Sequence, residues 1–226
     1  MHKIRSALPL LLALLPNLLY GATLQDKVTV SVPANWELIT AKSSATLVAN
    51  AYHARTDTIG AETHYSNALV QYYTVPASFA LAQADDVVAS HTRGATLIVS
   101  AQDGPHWKTY LLISYERNEQ YIVFYRIGIF DGVCLEVMLS FPHVRDEKKT
   151  STHVLTLNEA YVRDKKMAGV FCDPSAVKDM VDVFNDLCSK LRISGSGEFR
   201  ADVRIVRQPD TIAGVYRRKA DQDGGN

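Results

Sequence analysis

The sequence predicts an α+β fold in which helices pack on a central antiparallel sheet, and three observations support this class. Four consecutive strand-like runs are separated by short turns, as expected of an antiparallel meander. The second and third runs are apolar on both faces, so the sheet requires cover on both sides. An apolar stripe at helical spacing near residues 177–191 supplies one cover. The four runs span residues 96–101, 107–116, 120–130 and 133–141.

Length and composition limit the function classes. The chain has 226 residues, which corresponds to one large domain or two small ones. Basic and acidic side chains are equal in number, 24 of each, which argues against a dedicated nucleic-acid binder. Hydrophobic residues make up 47% of the chain, enough for a large core. We therefore expect a globular protein with no nucleic-acid partner.

The first 22 residues have the pattern of a secretory signal peptide. Lys3 and Arg5 precede an apolar stretch that ends in Gly21-Ala22. That stretch is too short for a spanning helix, which needs about 20 apolar residues. No cysteine lies near the end of this stretch, so a lipid anchor is not expected, and the exact cleavage position is left open. The sequence predicts a periplasmic or secreted protein without a stable membrane anchor after cleavage.

Before the meander, the pattern predicts three short strands and one helix. The first strand ends at Pro33 and is followed by a turn that carries Trp36. The region 41–66 is rich in Ala, Ser and Thr, and its pattern indicates a strand at 46–52 and a loop at 55–66. A strand at 69–75 precedes a helix that Ser78 caps and Gly94 ends, with His91 on its apolar stripe as a core histidine.

After the meander, the sequence predicts a short helix at 158–166 and a long amphipathic helix that Asp173 caps and Pro174 begins. Gly195-Ser196-Gly197 then interrupts the chain, a possible edge strand runs from Phe199 to Val206, and a polar tail follows. The predicted organisation is a signal peptide, a folded domain and an extension with a disordered tail. Their limits are 1–22, 23–194 and 195–226.

Three cysteines leave at least one thiol unpaired in an exported protein. Cys172 and Cys188 flank the long helix and are roughly 20 Å apart at 1.5 Å per residue, which excludes a bridge between them. Cys134 lies on a central strand together with Glu136 and can meet either cysteine or neither. Three buried free cysteines are an equally good interpretation.

No motif predicts a catalytic, cofactor or metal site. The sequence lacks a nucleophile elbow, a P-loop and a dinucleotide fingerprint. Its seven histidines are scattered singly, without the paired spacing of metal ligands. We therefore assign no catalytic residue, no cofactor and no metal ligand from the sequence.

Two features are candidates for a partner-binding surface. The turn that contains Asp103, His106 and Trp107 places an aromatic side chain beside a rigid loop, and Tyr72 lies on the strand before it. Trp and Tyr are enriched among interface anchors, which makes these four residues candidates for contact with another protein. The alternative is that Trp107 begins a strand and packs inward.

The order of elements resembles the PsbP-like fold family, which includes photosystem extrinsic proteins, Ran-binding Mog proteins and bacterial DcrB-like proteins. Pro33 and Trp36 match the Pro-x-x-Trp that follows the first strand of that family, and Ser189, Leu191 and Arg192 match the end of its last helix. The resemblance covers roughly residues 28–193. It implies a three-layer α-β-α sandwich that serves as a rigid binding module.

From export, neutrality and the resemblance we expect a non-enzymatic protein-binding module of the bacterial periplasm. An immunity protein against a delivered toxin and a secretion accessory factor both fit this description, with another protein as the partner. Two alternatives are a small hydrolase whose site assembles only in three dimensions and a protein that binds a lipid or small ligand.

Overall fold

A computed structural model describes residues 24–59, 62–116, 119–143, 153–157, 169–193 and 201–207. The helices in these ranges are α1 (Leu24–Lys27), α2 (Ala84–His91) and α3 (Pro174–Lys190), and a 3-10 turn at Leu81–Gln83 leads into α2. The strands are β1 (Val28–Thr29), β2 (Glu37–Ser43), β3 (Leu47–Ile59), β4 (Glu62–Thr74), β5 (Thr96–Asp103), β6 (Trp107–Glu116), β7 (Glu119–Phe130), β8 (Val133–Pro142), β9 (His153–Thr156), β10 (Val170–Cys172), β11 (Arg192–Ile193) and β12 (Arg204–Arg207).

Seven antiparallel strands form the main sheet in the order β2-β3-β4-β8-β7-β6-β5. The predicted meander is confirmed, because β5 to β8 are consecutive neighbours with the expected limits. Its last turn uses Asp131 and Gly132, both at positive φ, as a tight hairpin requires. The α+β class with a central antiparallel sheet is therefore correct, and the sheet accounts for most of the described structure.

The N-terminal part of the sheet differs from the prediction. Strands β3 and β4 have 13 residues each and pair along their whole length, so residues 55–59 and 62–66 form strands where the sequence predicted a loop. Pairing between the two strands outweighs the weak propensity of these polar residues. β2 was not predicted, and the first predicted strand is reduced to β1, which pairs with β11.

The long helix is confirmed and covers one face of the sheet, here called the α3 face. Met180, Phe184 and Leu187 on α3 are buried in the large core, together with Phe124 and Phe141 of the sheet. The rings of Phe124 and Phe184 lie 5.2 Å apart. A small sheet of order β10-β9-β12 joins this core. Val203, just before β12, is 2% exposed, so residues 201–207 pack on the same domain.

The short helix α2 covers part of the opposite face, here called the α2 face. Ala84 and Val88 pack on Tyr110, Tyr125 and neighbouring side chains of β6 to β8. The helix does not begin at Ser78, because the side chain of Gln83 accepts a hydrogen bond from the Ala80 backbone and fixes a later start. The eight residues of α2 leave the β3 and β4 part of this face half-buried and the β2 part exposed.

The three cysteines are buried and free. Cys134 belongs to the α2 face, whereas Cys172 and Cys188 belong to the α3 face. The sheet therefore separates Cys134 from both possible partners, and the interpretation as buried free thiols is correct.

Several predictions concern residues outside the described ranges, namely the signal peptide at 1–22, the helix at 158–166, the break at 195–197 and the tail. Among the described helices, none combines the length and the hydropathy that crossing a membrane requires.

Candidate functional site

A cleft of about 410 Å³ opens between strands β2 and β3 and the first half of α3. We call it the β2 cleft, because β2 begins at its edge. Its volume lies in the lower part of the range of protein ligand sites. The residues that line it are Pro33, Asn35, Trp36, Glu37, His53, Ala54, Arg55, Thr56, Asp179, Met180 and Val183.

The inner wall of the β2 cleft is apolar. Trp36 donates its backbone N–H to the Pro33 carbonyl at 3.1 Å, a turn that directs the indole into the fold. The ring then packs at 5.7 Å from that of Tyr52, and 9% of the residue stays exposed. Met180 and Val183 of α3 complete this wall. The cleft therefore offers an aromatic and aliphatic surface to a ligand.

The rim of the β2 cleft is charged. Arg55 and Asp179 face each other across it at 3.3 Å, with side chains that are 39% and 70% exposed. An exposed pair at this distance is weak. Glu37 pairs with His53 in the register, so its side chain lies on the other face of the sheet from the Trp36 ring. The rim therefore carries one carboxylate and one guanidinium.

His53 is at the cleft through its backbone, but its ring lies on the α2 face, because it pairs with Asn67 while the neighbouring Tyr52 pairs with Ala68 in the core of the α3 face. Its Nδ1 lies 2.9 Å from Oδ1 of Asn67, and its ring stacks on Tyr65 at 4.7 Å. Since the amide oxygen accepts, the neutral imidazole carries its hydrogen on Nδ1. The other nitrogen, Nε2, is then an acceptor.

Strand β2 borders the cleft as an open sheet edge. All seven of its residues are exposed, and Leu38 and Ile39 are 54% and 49% exposed. No described strand pairs with its outer side. The bulge at Ile39 and the charge of Lys42 disfavour non-specific pairing of this edge with other chains. The opposite edge, β5, also has a bulge and an exposed Leu97, but it does not line the cleft.

A second polar arrangement, the Glu136 cluster, lies beneath α2. Glu136 is 1% exposed and accepts hydrogen bonds from Gln71 at 3.0 Å, from Nδ1 of His91 at 2.8 Å and from the Tyr125 hydroxyl. A buried carboxylate requires such donors. His91 is therefore hydrogen-bonded as predicted, yet its side chain is 39% exposed and does not lie in the core.

Burial governs the chemistry of the groups around Glu136. It raises the pKa of the Cys134 thiol to about 12, and it raises the pKa of the Tyr73 and Tyr125 hydroxyls, with neighbouring Glu136 adding to the effect. A thiol that stays protonated is a poor nucleophile. The arrangement instead orients the His91 ring through its Nδ1 contact with Glu136.

Three of the four residues predicted to bind a partner come together at the start of β6. Asp103 pairs with the buried Arg126 at 2.6 Å, and Nδ1 of His106 donates to the Ile129 carbonyl at 3.1 Å. Trp107 is 6% exposed and lies 4.1 Å from the ring of Phe130. Trp107 thus packs inward, which was the alternative interpretation.

Tyr72 lies elsewhere, on β4, and is 7% exposed in the core of the α3 face. The structure thus places Tyr72 and Trp107 inside the fold, and their role in partner binding stays a prediction.

The sequence missed both arrangements. The Pro-x-x-Trp pattern located Trp36, but nothing local showed that Arg55 and residues of α3 would join it. Glu136 was placed correctly on the face of Cys134, while its contact with His91 joins residues 45 positions apart. In the described ranges no group of His, Cys, Asp or Glu residues is arranged to hold a metal ion.

No protein-family model matches the chain, and no curated protein matches it either. One similar solved structure is that of LpqN of Mycobacterium tuberculosis, described as involved in cell envelope biogenesis. The TM-score is 0.31 at 15% identity, and the match covers 53% of this chain and 72% of LpqN. A likeness this weak identifies neither a family nor a function, and the resemblance to the PsbP-like family stays a prediction.

Proposed function

We propose that this chain is an exported, non-enzymatic protein-binding module of the bacterial periplasm that holds an extended segment of a partner along β2. The observation that supports it is the exposed edge of β2 beside the β2 cleft. An extended peptide can add a strand to such an edge, with main-chain hydrogen bonds for affinity and a pocket for side-chain selectivity.

The residues of β2 and of the cleft have different roles in binding the segment. Leu38 and Ile39 supply exposed apolar contact area, and the wall formed by Trp36 and Met180 receives one side chain of the segment. The bulge and Lys42 prevent indiscriminate pairing, which favours a dedicated partner.

The predicted signal peptide at residues 1–22 supports an exported role. An immunity protein that neutralises a delivered toxin and a secretion accessory factor both act by binding another protein without chemistry. In either role, the three-layer α-β-α arrangement of the PsbP-like resemblance provides a rigid platform for the edge.

The test is affinity capture by residues 23–226 from the envelope fraction of the source organism, followed by mass spectrometry. Three baits are compared: the wild type, Leu38→Asp on β2 and Leu97→Asp on β5. The two leucines are 54% and 53% exposed, so the second variant is a matched control. We expect a stoichiometric partner with the wild type and Leu97→Asp, and its loss with Leu38→Asp.

Capture that is independent of Leu38, or capture of no stoichiometric protein, contradicts the proposal. Circular dichroism and urea unfolding of the three baits separate lost binding from lost folding. The activity of the captured partner then distinguishes an immunity protein from a secretion factor.

A small hydrolase is the second candidate, supported by the 2.8 Å contact between His91 and the buried Glu136. In known acid–base dyads, a contact of this kind orients the histidine ring. A panel of ester and amide substrates tests it. Turnover by the wild type that His91→Gln abolishes supports an enzyme, and equal rates in the two proteins exclude one that uses this histidine. Binding of a lipid or small ligand in the β2 cleft is the remaining alternative.

A further inference from the structure

We infer that β2 also pairs with β2 of a second copy of this chain, in the antiparallel direction and about a twofold axis at Ile39 and Thr40. The seven-stranded sheets of the two copies then form one continuous sheet. This inference goes beyond the proposed function and does not require it, because the dimer needs no other protein. One edge accepts one strand, so a second copy and a partner segment exclude each other.

The open edge of β2 is the first argument. All seven residues of the strand are exposed, and no described strand pairs with its outer side. An edge with unpaired backbone groups is a template for another strand. When that strand is the same β2 of a second copy, the contact is self-complementary and closes after two copies.

The bulge of β2 determines the register of such a pair. Leu38 and Thr40 pair with successive residues of β3, so Ile39 between them is an additional residue. An ordinary strand has no residue that matches it. An identical antiparallel strand carries the same additional residue, and the two bulges lie opposite each other when the axis passes Ile39 and Thr40. The feature that disfavours other chains therefore fits a second copy.

The charges of β2 are complementary in this register. Glu37 lies opposite the second copy's Lys42, and the twofold axis repeats this pair at the other end of the strand. Both side chains lie on the α2 face, because Glu37 pairs with His53, and Lys42 pairs with Ala49, whose partner on β4 belongs to the Glu136 cluster. Neither charge has an ion-pair partner among the described residues. Opposite charges directly across two strands stabilise their pairing.

The other side of the strand pair is apolar in the same register. Leu38 lies opposite the second copy's Ala41. Both side chains lie on the α3 face, because Leu38 pairs with the core residue Tyr52, and Ala41 pairs with Asn50, two residues before Tyr52 on β3. Leu38 is 54% exposed in a single copy. Pairing removes this apolar surface from water in both copies.

The experiment measures self-association of residues 23–226 by sedimentation velocity, from micromolar to about millimolar concentration. Each copy contributes only one strand, so we expect a reversible dimer whose fraction rises with concentration. Glu37→Lys and Lys42→Glu each place like charges opposite each other at both ends of the strand pair. Each variant alone should therefore dimerise about tenfold more weakly than the wild type.

An equimolar mixture of the Glu37→Lys and Lys42→Glu chains provides the sharpest comparison. In a mixed dimer both cross-strand pairs again join opposite charges, so we expect dimerisation close to that of the wild type. A general effect of charge or a folding defect would not be repaired by mixing. Asp86→Lys makes the same change of charge at an exposed position on α2, and this control should dimerise like the wild type.

A wild-type protein that stays monomeric at every concentration overturns the inference. A dimer that Glu37→Lys leaves unchanged also overturns it, as does a mixture that dimerises no better than its two components. Circular dichroism and urea unfolding verify that each variant is folded. The Leu38-dependent capture tests the proposed function separately, and a captured copy of this chain supports the dimer and not the proposed function.

Discussion

The two faces of the seven-stranded sheet are built on different principles. The α3 face is a continuous apolar core in which Phe184 and Leu187 of the helix are completely buried. The α2 face combines a smaller apolar cluster with the Glu136 cluster, where a buried carboxylate connects β8 to α2 through His91. Burial of apolar area is non-directional, while hydrogen bonds to a buried charge require one geometry. The α3 face therefore supplies most of the stability, and the α2 face fixes the position of its short helix.

The largest expected effect is on the α3 face. Phe184→Ala removes a completely buried ring that packs on Phe124, and we expect a loss of about 3–5 kcal/mol in the free energy of unfolding. Phe79→Ala makes the same chemical change at a partly buried position on the α2 face and should cost clearly less. Urea unfolding measures both. Equal losses would show that the two faces contribute equally.

The next effect concerns the Glu136 cluster. Glu136→Gln keeps the shape but replaces an accepting oxygen by an NH₂ group among the donors Gln71, His91 and Tyr125. We expect a loss of about 2 kcal/mol in urea unfolding, because hydrogen bonds to a buried charge are lost. Glu116→Gln at an exposed position is the control and should stay within about 0.5 kcal/mol of wild type. If Glu136→Gln were as stable as the wild type, the cluster would not hold the helix in place.

A comparable effect tests the close packing of the α3 face. A Cβ on Gly128 would lie 1.6 Å from the Trp107 ring, so Gly128→Ala forces the indole to move. We expect a cost of about 1–3 kcal/mol, typical of an overpacked core. In a Trp107→Leu background the same substitution should cost less, because the obstructing ring is absent. Additive losses in the double variant would contradict this interpretation.

The smallest effect lies at the rim of the α2 face and depends on pH. Lys108 and the Tyr110 hydroxyl bond to Asp85 at 2.6 and 2.7 Å, and chiefly the Lys108 contact lowers the pKa of that carboxyl below its usual 3.8. The contribution of ionised Asp85 to the free energy of unfolding is therefore present above pH 3.8 and is lost as the pH falls through the folded-state pKa.

Because Asp85 is 62% exposed, solvent screens the pair, and Asp85→Asn should cost less than about 1 kcal/mol at pH 7. Urea unfolding at pH 7, 4 and 3 should show the difference from wild type shrinking with acid. A difference that grows with acid would contradict the assigned cause.

The local sequence pattern was sufficient to predict those elements whose structure is determined by their own residues. The turn at Asp131-Gly132 and the alternation around it defined β7 and β8, and the stripe that includes Met180 and Phe184 defined α3. In both cases the periodicity of side chains is the cause of the element.

The rest depends on contacts between distant segments. Residues 55–59 form strand because β4 pairs with them, and their own composition is polar. The β2 cleft needs Trp36, Arg55 and Asp179, which come from three separate elements. Trp107 was a candidate surface anchor, yet the glycine opposite it on β7 lets the ring lie flat in the core. A single sequence contains no local signal for such pairings.

The separation of the thiols by the sheet has a consequence for biogenesis. In an oxidising compartment, Cys134 can meet Cys172 or Cys188 only before the sheet closes, since afterwards they lie on opposite faces. The yield of correctly folded protein then depends on whether the sheet forms faster than the thiols of the unfolded chain are oxidised. In the folded protein the thiols are buried and protonated, so they no longer form a disulfide with one another.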